Sequence, residues 1–234
     1  MAPIRDPFST ALPELHGHGL RLRPWDATSG ADVETWLRGM RDPEFRRWNT
    51  PLRLVTDRAS ARESLLARAQ SAVEGTSLSF RVADARSDTA LGHIGVNEIK
   101  YHLKVARVGY WVLPEARGQG VATRALLLAS RWAFGELGLH RLELDHAVGH
   151  DASCRIAERC GFAYEGTLRG AIFKEGRHDA FRDAHLHARL ATDPQPQPQP
   201  QPQPETEAEA EAEAEAEAEA EAEAEAEAGR GPGA

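Results

Sequence analysis

The sequence predicts one domain of the α+β class, in which a mixed and mostly antiparallel sheet is flanked by helices. Apolar residues alternate with polar ones in several short runs and recur at helical spacing in others. The two kinds of run do not follow a regular strand–helix alternation, which argues against a doubly wound parallel sheet. Low-complexity sequence begins at Pro194, so about 190 residues remain, enough for one ordinary core.

The chain divides into four predicted parts: an N-terminal extension (1–17), a folded domain (18–192), a Pro/Gln spacer (193–204) and a Glu/Ala-rich acidic tail (205–234). Pro-Gln alternation favours polyproline II. Glu at every second position places like charges four residues apart and leaves no apolar stripe, which predicts a disordered tail at neutral pH. Such a tail suits a solubilising segment or a docking site for a basic partner.

The net charge of −8 is carried by the tail. Twelve of the 36 acidic residues lie between 205 and 228, so residues 1–193 have a net charge of +3. That charge is too small to argue for nucleic acid. No apolar run suits a signal peptide or a membrane span, so we expect a cytoplasmic protein without membrane contact. Cys154 and Cys160 have no zinc-type spacing with histidines, so we expect reduced thiols and no metal.

The first half of the domain predicts one strand, two helices and three further strands. In order, these are a strand at 20–23, a helix at 31–40 that Asp42-Pro43 ends, a helix that Thr56 or Asp57 caps and Gly75 stops, and strands at 78–82, 91–99 and 105–113. Ala61, Leu65, Leu66 and Ala69 form the predicted buried face of the second helix. The short connection at 102–104 predicts antiparallel pairing of the last two strands.

The second half predicts a long crossover helix, then a strand, a short helix and a final hairpin. The long helix covers 121–137, with apolar residues at helical spacing and Gly138 just past its end. A strand begins near Leu142, a short helix covers 153–159, and the hairpin strands cover 162–173 and 180–190.

A glycine-rich turn separates the strand at 105–113 from the long helix. Its residues are Arg117, Gly118, Gln119, Gly120, Val121, Ala122 and Thr123. The first N–H groups of a helix lack internal partners and lie at its positive end, so such a turn can bind a diphosphate. An ordinary turn is the other interpretation. The segment has neither the Gly-Lys-Ser/Thr of a P-loop nor the third glycine of a dinucleotide fingerprint.

Two motifs give this turn a specific resemblance. Gly109-Tyr110-Trp111-Val112-Leu113-Pro114 followed by the turn resembles the acetyl-CoA motif Gln/Arg-x-x-Gly-x-Gly/Ala of the GNAT acetyltransferases. The segment 151–162, followed by Glu165-Gly166, resembles their second CoA-contacting segment. The variant is most similar to the RimJ/RimL-like branch, which acetylates ribosomal-protein N-termini. The resemblance covers about residues 18–191 and includes Arg47-Trp48 and Asp183.

This resemblance implies a GNAT fold with splayed central strands, acetyl-CoA as co-substrate, and direct attack of an amine in a ternary complex. The backbones of Val112 and Leu113 pair with pantetheine, and the N–H of Val112 holds the oxyanion. The implied cofactor-binding residues are Val112, Leu113, Arg117, Gly118, Gln119, Gly120, Val121, Ala122, Thr123, His150 and Ser153. Trp111 is open to two interpretations, a core residue or a cofactor contact.

The catalytic positions depart from the family pattern. Ala157 occupies the position of the usual proton-donating Tyr, and Ser153 matches the Ser of the RimL-like branch, although it can also cap the helix. His150 replaces an Asn and is either a pantetheine contact or a surface residue. The usual RimL-like Glu falls near Ile172, so the base is missing. Glu98 is the candidate base, or else a solvated carboxylate.

The missing base favours an α-amine as acceptor. An α-amine has a pKa of about 7.7–8.0 and is far more often neutral at pH 7 than a lysine with a pKa of about 10.4. Trp48 and Asn49, in the loop before Pro51, are the candidate substrate-binding residues together with Glu98, and Trp48 can instead anchor its loop. We expect a protein N-terminus as partner and a monomer or homodimer. The alternatives are a small-amine acetyltransferase for an antibiotic or polyamine, a non-catalytic acyl-CoA-binding module and a dinucleotide-binding redox protein.

Overall fold

The computed structural model describes residues 12–196. The predictions for residues 1–11, for most of the Pro/Gln spacer and for the acidic tail lie outside the described residues, and the domain boundaries stay predictions. Within the described range, none of the helices is long and apolar enough to cross a lipid bilayer.

The described part of the chain contains eight strands, five α-helices and one short 3-10 helix at Pro114–Ala116. The strands are β1 (Leu15–Gly17), β2 (Leu20–Pro24), β3 (Leu78–Asp84), β4 (Ala90–Lys100), β5 (Val105–Val112), β6 (Arg141–Ala147), β7 (Ala163–Lys174) and β8 (Arg177–Leu190). The helices are α1 (Gly30–Arg41), α2 (Pro43–Trp48), α3 (Arg58–Val73), α4 (Val121–Gly135) and α5 (Asp151–Arg159).

All eight strands form one mixed sheet in the order β1-β2-β3-β4-β5-β6-β8-β7, which confirms the predicted fold class. Every neighbouring pair is antiparallel except β5 and β6. Those two strands pair at three positions, from Val105–Arg141 to Arg107–Glu143, although both continue further. The central strands therefore separate, as the resemblance implies, and leave a gap in the middle of the sheet.

Two elements were not predicted. Strand β1 lies within the predicted extension, and its Leu15 pairs with Leu22 of β2. Helix α2 starts at the Asp42-Pro43 pair that ends α1, because the Asp42 carboxylate accepts a hydrogen bond from the Phe45 N–H at 2.9 Å and Pro43 suits a first helical position. The same two residues thus end one helix and begin the next.

The sheet has an apolar core on each face. One core includes Ala106 and Val108 of β5 and the buried side of α4. The other contains Trp111 and Leu113 with residues of α1 and α3. Alternation along β5 sends side chains to both cores, so this strand is fixed from two sides.

One detail of the predicted burial pattern is wrong. Leu66 and Ala69 of α3 are exposed, while Ala61 and Leu65 are buried as predicted. Strand β3 is buried on both faces, including its polar residues Ser79 and Arg81. The buried Arg81 guanidinium is paired with two carboxylates, since it lies 3.2 Å from Asp88 and 3.5 Å from Asp32.

Candidate active site

Two clefts meet at the gap between β5 and β6. The first, here the turn cleft, has a volume of about 370 Å³ and lies against the glycine-rich turn and α5. The second, here the hairpin cleft, has a volume of about 330 Å³ and lies between the separated strands and the β7–β8 hairpin. Trp48, Asn49, Tyr110 and His150 line both clefts, so the two spaces adjoin.

The glycine-rich turn has the backbone geometry that its sequence predicts. Gly118 and Gly120 have φ angles of +75° and +68°, a region that favours glycine. Helix α4 begins at Val121 with no side-chain cap, and Arg124 is the residue whose N–H bonds back to the Gly120 carbonyl. The N–H groups of the first helical turn are therefore available to a ligand at the positive end of the helix.

Most of the predicted cofactor-binding residues line the turn cleft, namely Val112, Arg117, Gly118, Gly120, Val121, Ala122, Thr123 and His150. Gln119 is not among the lining residues, and its side-chain amide donates to the Glu115 carbonyl at 3.0 Å. Leu113 is buried, and its N–H and C=O already bond to Leu91 and Ala116. The prediction that Leu113 pairs with pantetheine is therefore not supported.

The backbone N–H and C=O groups of Val112 are directed to the side opposite to those of Leu113. Successive residues of a strand direct their N–H and C=O groups to alternate sides, and those of Leu113 are directed to β4 and the following turn. The groups of Val112 and Tyr110 consequently face the β6 side, beyond the point where β5 and β6 stop pairing. This open strand edge can pair with an extended ligand.

The cations of the turn cleft differ from the prediction. Arg117 lines the cleft, but its guanidinium forms an ion pair with the buried Asp42 carboxylate. Arg155 and Arg159 of α5 also line the cleft, and neither forms a salt bridge with another described residue. Their spacing of four residues places them on one helix face, a signal that the sequence contains and that was missed.

Tyr110 and Ser153 form a hydrogen bond of 2.9 Å between their hydroxyl groups. Burial raises the pKa of Tyr110, so its hydroxyl keeps its proton. Ser153 is buried and lines the hairpin cleft. The alternative that Ser153 caps α5 is wrong, because His150 is the N-cap residue. Tyr110 itself was not predicted, since the motif that contains it gives no sign of its partner.

Trp48 and His150 are stacked at the junction of the clefts, with ring centroids 4.6 Å apart and planes 6° apart. Burial lowers the pKa of His150 to about 4, so the imidazole is neutral near pH 7. The Trp48 indole N–H donates to Glu44, and the guanidinium groups of Arg47 and Arg182 lie 4.9 and 5.7 Å from its ring. His150 is thus part of the cleft wall and not an isolated surface residue.

Trp111 belongs mainly to the core. It is buried and its ring lies 6.1 Å from Trp25 and 5.7 Å from Trp36. It also reaches the lining of the turn cleft. The core interpretation of Trp111 therefore agrees with the structure.

The structure does not bring Glu98 to either cleft. Glu98 lies in a β-bulge of β4 with a φ of +50°, and its side chain is 58% exposed and 3.7 Å from Arg107. The carboxylate that lines the hairpin cleft is that of Asp145 on β6, which is 19% exposed and also lies 3.7 Å from Arg107. The prediction of Glu98 as base and substrate contact has no geometric support.

The sequence has no zinc-type spacing of cysteines and histidines, but the fold brings one cysteine and three histidines together. In the folded protein His146, Cys154, His185 and His187 offer ligand atoms that all lie within 4.8 Å of one another. We refer to these four residues as the His/Cys cluster. Burial lowers the pKa values of His146 and His187, which favours neutral imidazoles.

Comparisons with known proteins agree with this geometry. The acetyltransferase (GNAT) domain family matches residues 19–163. A ribosomal-protein-serine acetyltransferase of Escherichia coli (strain K12) is 35% identical over 107 residues, 45% of this chain and 57% of that protein. A spermidine N(1)-acetyltransferase of Vibrio cholerae is 32% identical over 107 residues, 46% of this chain and 61% of that protein. The chain thus spans about half the length of the curated relatives it matches.

The fold also matches solved structures. Mycobacterium smegmatis RimJ in complex with CoA-disulfide superposes with a TM-score of 0.69 at 23% identity, covering 82% of this chain and 91% of that one. An identity this low shows a shared fold alone. The family match covers the glycine-rich turn, both strands that border the gap and helix α5. From this match and the architecture around the gap, we conclude that the chain belongs to the GNAT acetyltransferase domain family.

Proposed function

We propose that the protein transfers an acetyl group from acetyl-CoA to a primary amine, and that the preferred amine is the α-amine of a peptide or protein. The observation that carries this proposal is the pair of adjoining clefts with the Tyr110–Ser153 hydrogen bond beside their junction. One cleft suits a diphosphate carrier, the other suits an acceptor, and a proton donor lies between them.

Acetyl-CoA occupies the turn cleft in this proposal. The free N–H groups at the start of α4 bind its diphosphate, and Arg155 and Arg159 supply cations for its remaining phosphate. The pantetheine arm runs along the open edge of β5 and pairs with the backbone of Val112. The thioester then lies at the gap, where the Val112 N–H can stabilise negative charge on the carbonyl oxygen.

The reaction proceeds by direct attack. The neutral amine nitrogen bonds to the thioester carbonyl carbon, and the tetrahedral intermediate collapses by breaking the C–S bond. The leaving thiolate takes a proton from the Ser153 hydroxyl, which the Tyr110 hydroxyl holds in position, and Ser153 regains a proton from water. The proton that the amine loses passes to water or to the Asp145 carboxylate in the hairpin cleft.

The charges around the hairpin cleft favour a single amine over a polyamine. Asp145 is the acidic residue among the described residues that line this cleft. Arg47 and Arg182 lie beside Trp48 at its border. One carboxylate in the cleft can attract one ammonium group, whereas the guanidinium groups of Arg47 and Arg182 beside Trp48 oppose further cationic groups.

An acceptor panel tests the substrate class. Thiol release from acetyl-CoA should be at least about tenfold faster with a peptide that has a free α-amine than with an α-blocked peptide containing lysine or with spermidine, since lysine is almost fully protonated at pH 7. Equal or faster acetylation of spermidine would contradict the α-amine proposal. Binding of acetyl-CoA without turnover of any acceptor would instead identify a non-catalytic module.

A pair of substitutions tests the proton donor. Ser153→Ala should lower kcat by about 100-fold or more, and Tyr110→Phe by about tenfold, because the first removes the donor and the second its hydrogen-bond partner. The KM for acetyl-CoA should change by less than about twofold. Steady-state kinetics over a pH series provide the measurement.

Tyr164→Phe is the matched control, because Tyr164 also forms a hydroxyl–hydroxyl hydrogen bond of 2.9 Å, with Thr167, outside both clefts. Its kcat should equal that of the unsubstituted protein. If Ser153→Ala keeps full kcat at every pH, the thiolate receives its proton from another source.

A further inference from the structure

The His/Cys cluster is assembled from three elements on one side of the sheet. His146 of β6 and His185 of β8 are directly opposite in the antiparallel register. His187 lies two residues further along β8 and therefore faces the same side. Cys154 comes from α5, and its sulfur lies 3.3 Å from Nδ1 of His185. The fold thus brings together three imidazoles and a thiol that are up to 41 positions apart in the sequence.

Several of these groups are buried without a hydrogen-bond partner. Nε2 of His146 makes no hydrogen bond with the described residues, and the ring nitrogens of His187 make none of ordinary geometry, although one of them lies near the Phe162 backbone. His187 is fully buried and His146 nearly so. A buried polar atom without a partner is destabilising, so this arrangement favours a further ligand.

The orientation of His146 is also that of a metal ligand. Its Nδ1 lies 3.0 Å from the Ala147 carbonyl oxygen, which leaves Nε2 with the free lone pair. Ligating histidines almost always donate their other ring N–H to such a carbonyl or carboxylate. His146 also lines the hairpin cleft, which gives an ion a path from solvent.

The distances approach those of a tetrahedral site. Bond lengths of about 2.3 Å to sulfur and 2.0–2.1 Å to nitrogen place tetrahedral ligand atoms roughly 3.3–3.6 Å apart. The Cys154–His185 separation already falls in this range, and the widest separation in the cluster is at most 4.8 Å. Side-chain rotations that move the ligand atoms by about 1 Å would bring all four to the separations of a tetrahedral site.

We propose that the His/Cys cluster binds one divalent transition-metal ion, zinc by its donor type, and thereby ties α5 to β6 and β8. Imidazole and thiolate donors select zinc over magnesium or calcium. Four protein ligands fill a tetrahedral shell and leave no position for water, so the ion stabilises the structure and does no chemistry itself. Because Ser153 precedes Cys154, the ion also fixes the part of α5 that carries the Ser153 hydroxyl.

The test uses the full chain, purified without an affinity tag and freed of metal. Zinc titrated in competition with a chromophoric chelator should bind at one ion per chain, and the thermal midpoint should rise on its addition. Cobalt in place of zinc should give a sulfur-to-cobalt charge-transfer band. Cobalt bound to the carboxylates of the Glu/Ala-rich tail cannot produce that band, because they contain no sulfur. The two cysteines of the chain, Cys154 and Cys160, lie outside the tail.

Substitutions then assign the ligands. Cys154→Ser should abolish the charge-transfer band, and both Cys154→Ser and His185→Gln should weaken zinc binding by more than about tenfold. Cys160→Ser and the exposed His102→Gln are the matched controls and should bind zinc unchanged. Acetyl-CoA binding shows that each variant is folded. The proposal is overturned if the unsubstituted chain binds no equimolar zinc, or if Cys154→Ser and His185→Gln bind it as tightly as the controls.

Discussion

Gly120 is the residue at which the turn meets helix α4. Its φ of +68° favours glycine, and a Cβ atom added there would contact no other atom within 4 Å. A methyl group at this position therefore strains the backbone beside the turn cleft, without displacing any part of the protein. Ligand binding and stability can be separated at this residue by comparison with another glycine.

Gly120→Ala should raise the KM for acetyl-CoA on the order of tenfold, which corresponds to the loss of about 1.4 kcal/mol of binding free energy. The physical reason is obstruction of the N–H groups at the start of α4. Initial rates at varied acetyl-CoA concentrations provide the measurement.

Gly138→Ala is the control for this substitution. Gly138 lies beyond the other end of α4 with a φ of +65° and also has no atom within 4 Å of an added Cβ. Both variants should lose about 1–2 kcal/mol of unfolding free energy from left-handed backbone strain. An equal rise in KM for the two variants would mean that strain, and not the cleft, is responsible.

At the scale of elements, helix α1 lies against the sheet through Gly39. An added Cβ at Gly39 would stand 2.4 Å from the Trp111 ring, closer than any normal contact. Trp25 and Trp36 pack around the same ring, so Trp111 cannot withdraw. The approach of α1 to β5, the strand that borders both clefts, thus depends on the absence of a side chain.

Gly39→Ala should lower the free energy of unfolding by about 1–3 kcal/mol through overpacking, although alanine is the better helix former. Chemical denaturation provides the measurement. Gly135→Ala, at the end of α4 with open space around it, should instead raise the free energy of unfolding by up to about 1 kcal/mol. A neutral Gly39→Ala would show that α1 can move away from the sheet.

The site illustrates which elements a sequence can predict. The glycine-rich turn and α4 follow from local chemistry, because backbone angles and free N–H groups depend on adjacent residues. The Tyr110–Ser153 bond joins residues 43 positions apart and depends on how α5 docks, which no local pattern encodes. Glu98 was misplaced because the bulge between Asn97 and Lys100 shifts the alternation of faces along β4.

For the whole molecule, buried histidines determine how stability depends on pH. Burial lowers the pKa values of His93 and His150 below 6.5, and that of His150 to about 4. These imidazoles therefore bind protons near pH 6.5 in the unfolded chain, but only at lower pH in the folded chain. The contribution of these neutral histidines to the free energy of unfolding is fully present above about pH 6.5. It is lost progressively as the pH falls towards 4.

The free energy of unfolding should accordingly decrease between pH 7 and pH 5, where ordinary carboxylates still contribute little. Urea unfolding at several pH values provides the measurement. His150→Gln should show a smaller decrease than the unsubstituted protein, and the exposed His102→Gln should show the same decrease. A stability that stays constant from pH 7 to pH 5 would contradict this account.

The short parallel pairing of β5 and β6 has a mechanical consequence for the whole sheet. Three residue pairs join a five-stranded part of the sheet (β1 to β5) to a three-stranded part (β6, β8 and β7). Both parts contribute residues to the lining of the hairpin cleft. A ligand that hydrogen-bonds along the unpaired edge of β5 takes the place of a neighbouring strand there. It then adds contacts between the two parts of the sheet. If acetyl-CoA binds along this edge as proposed, it would make the part of the sheet that lines the hairpin cleft more rigid.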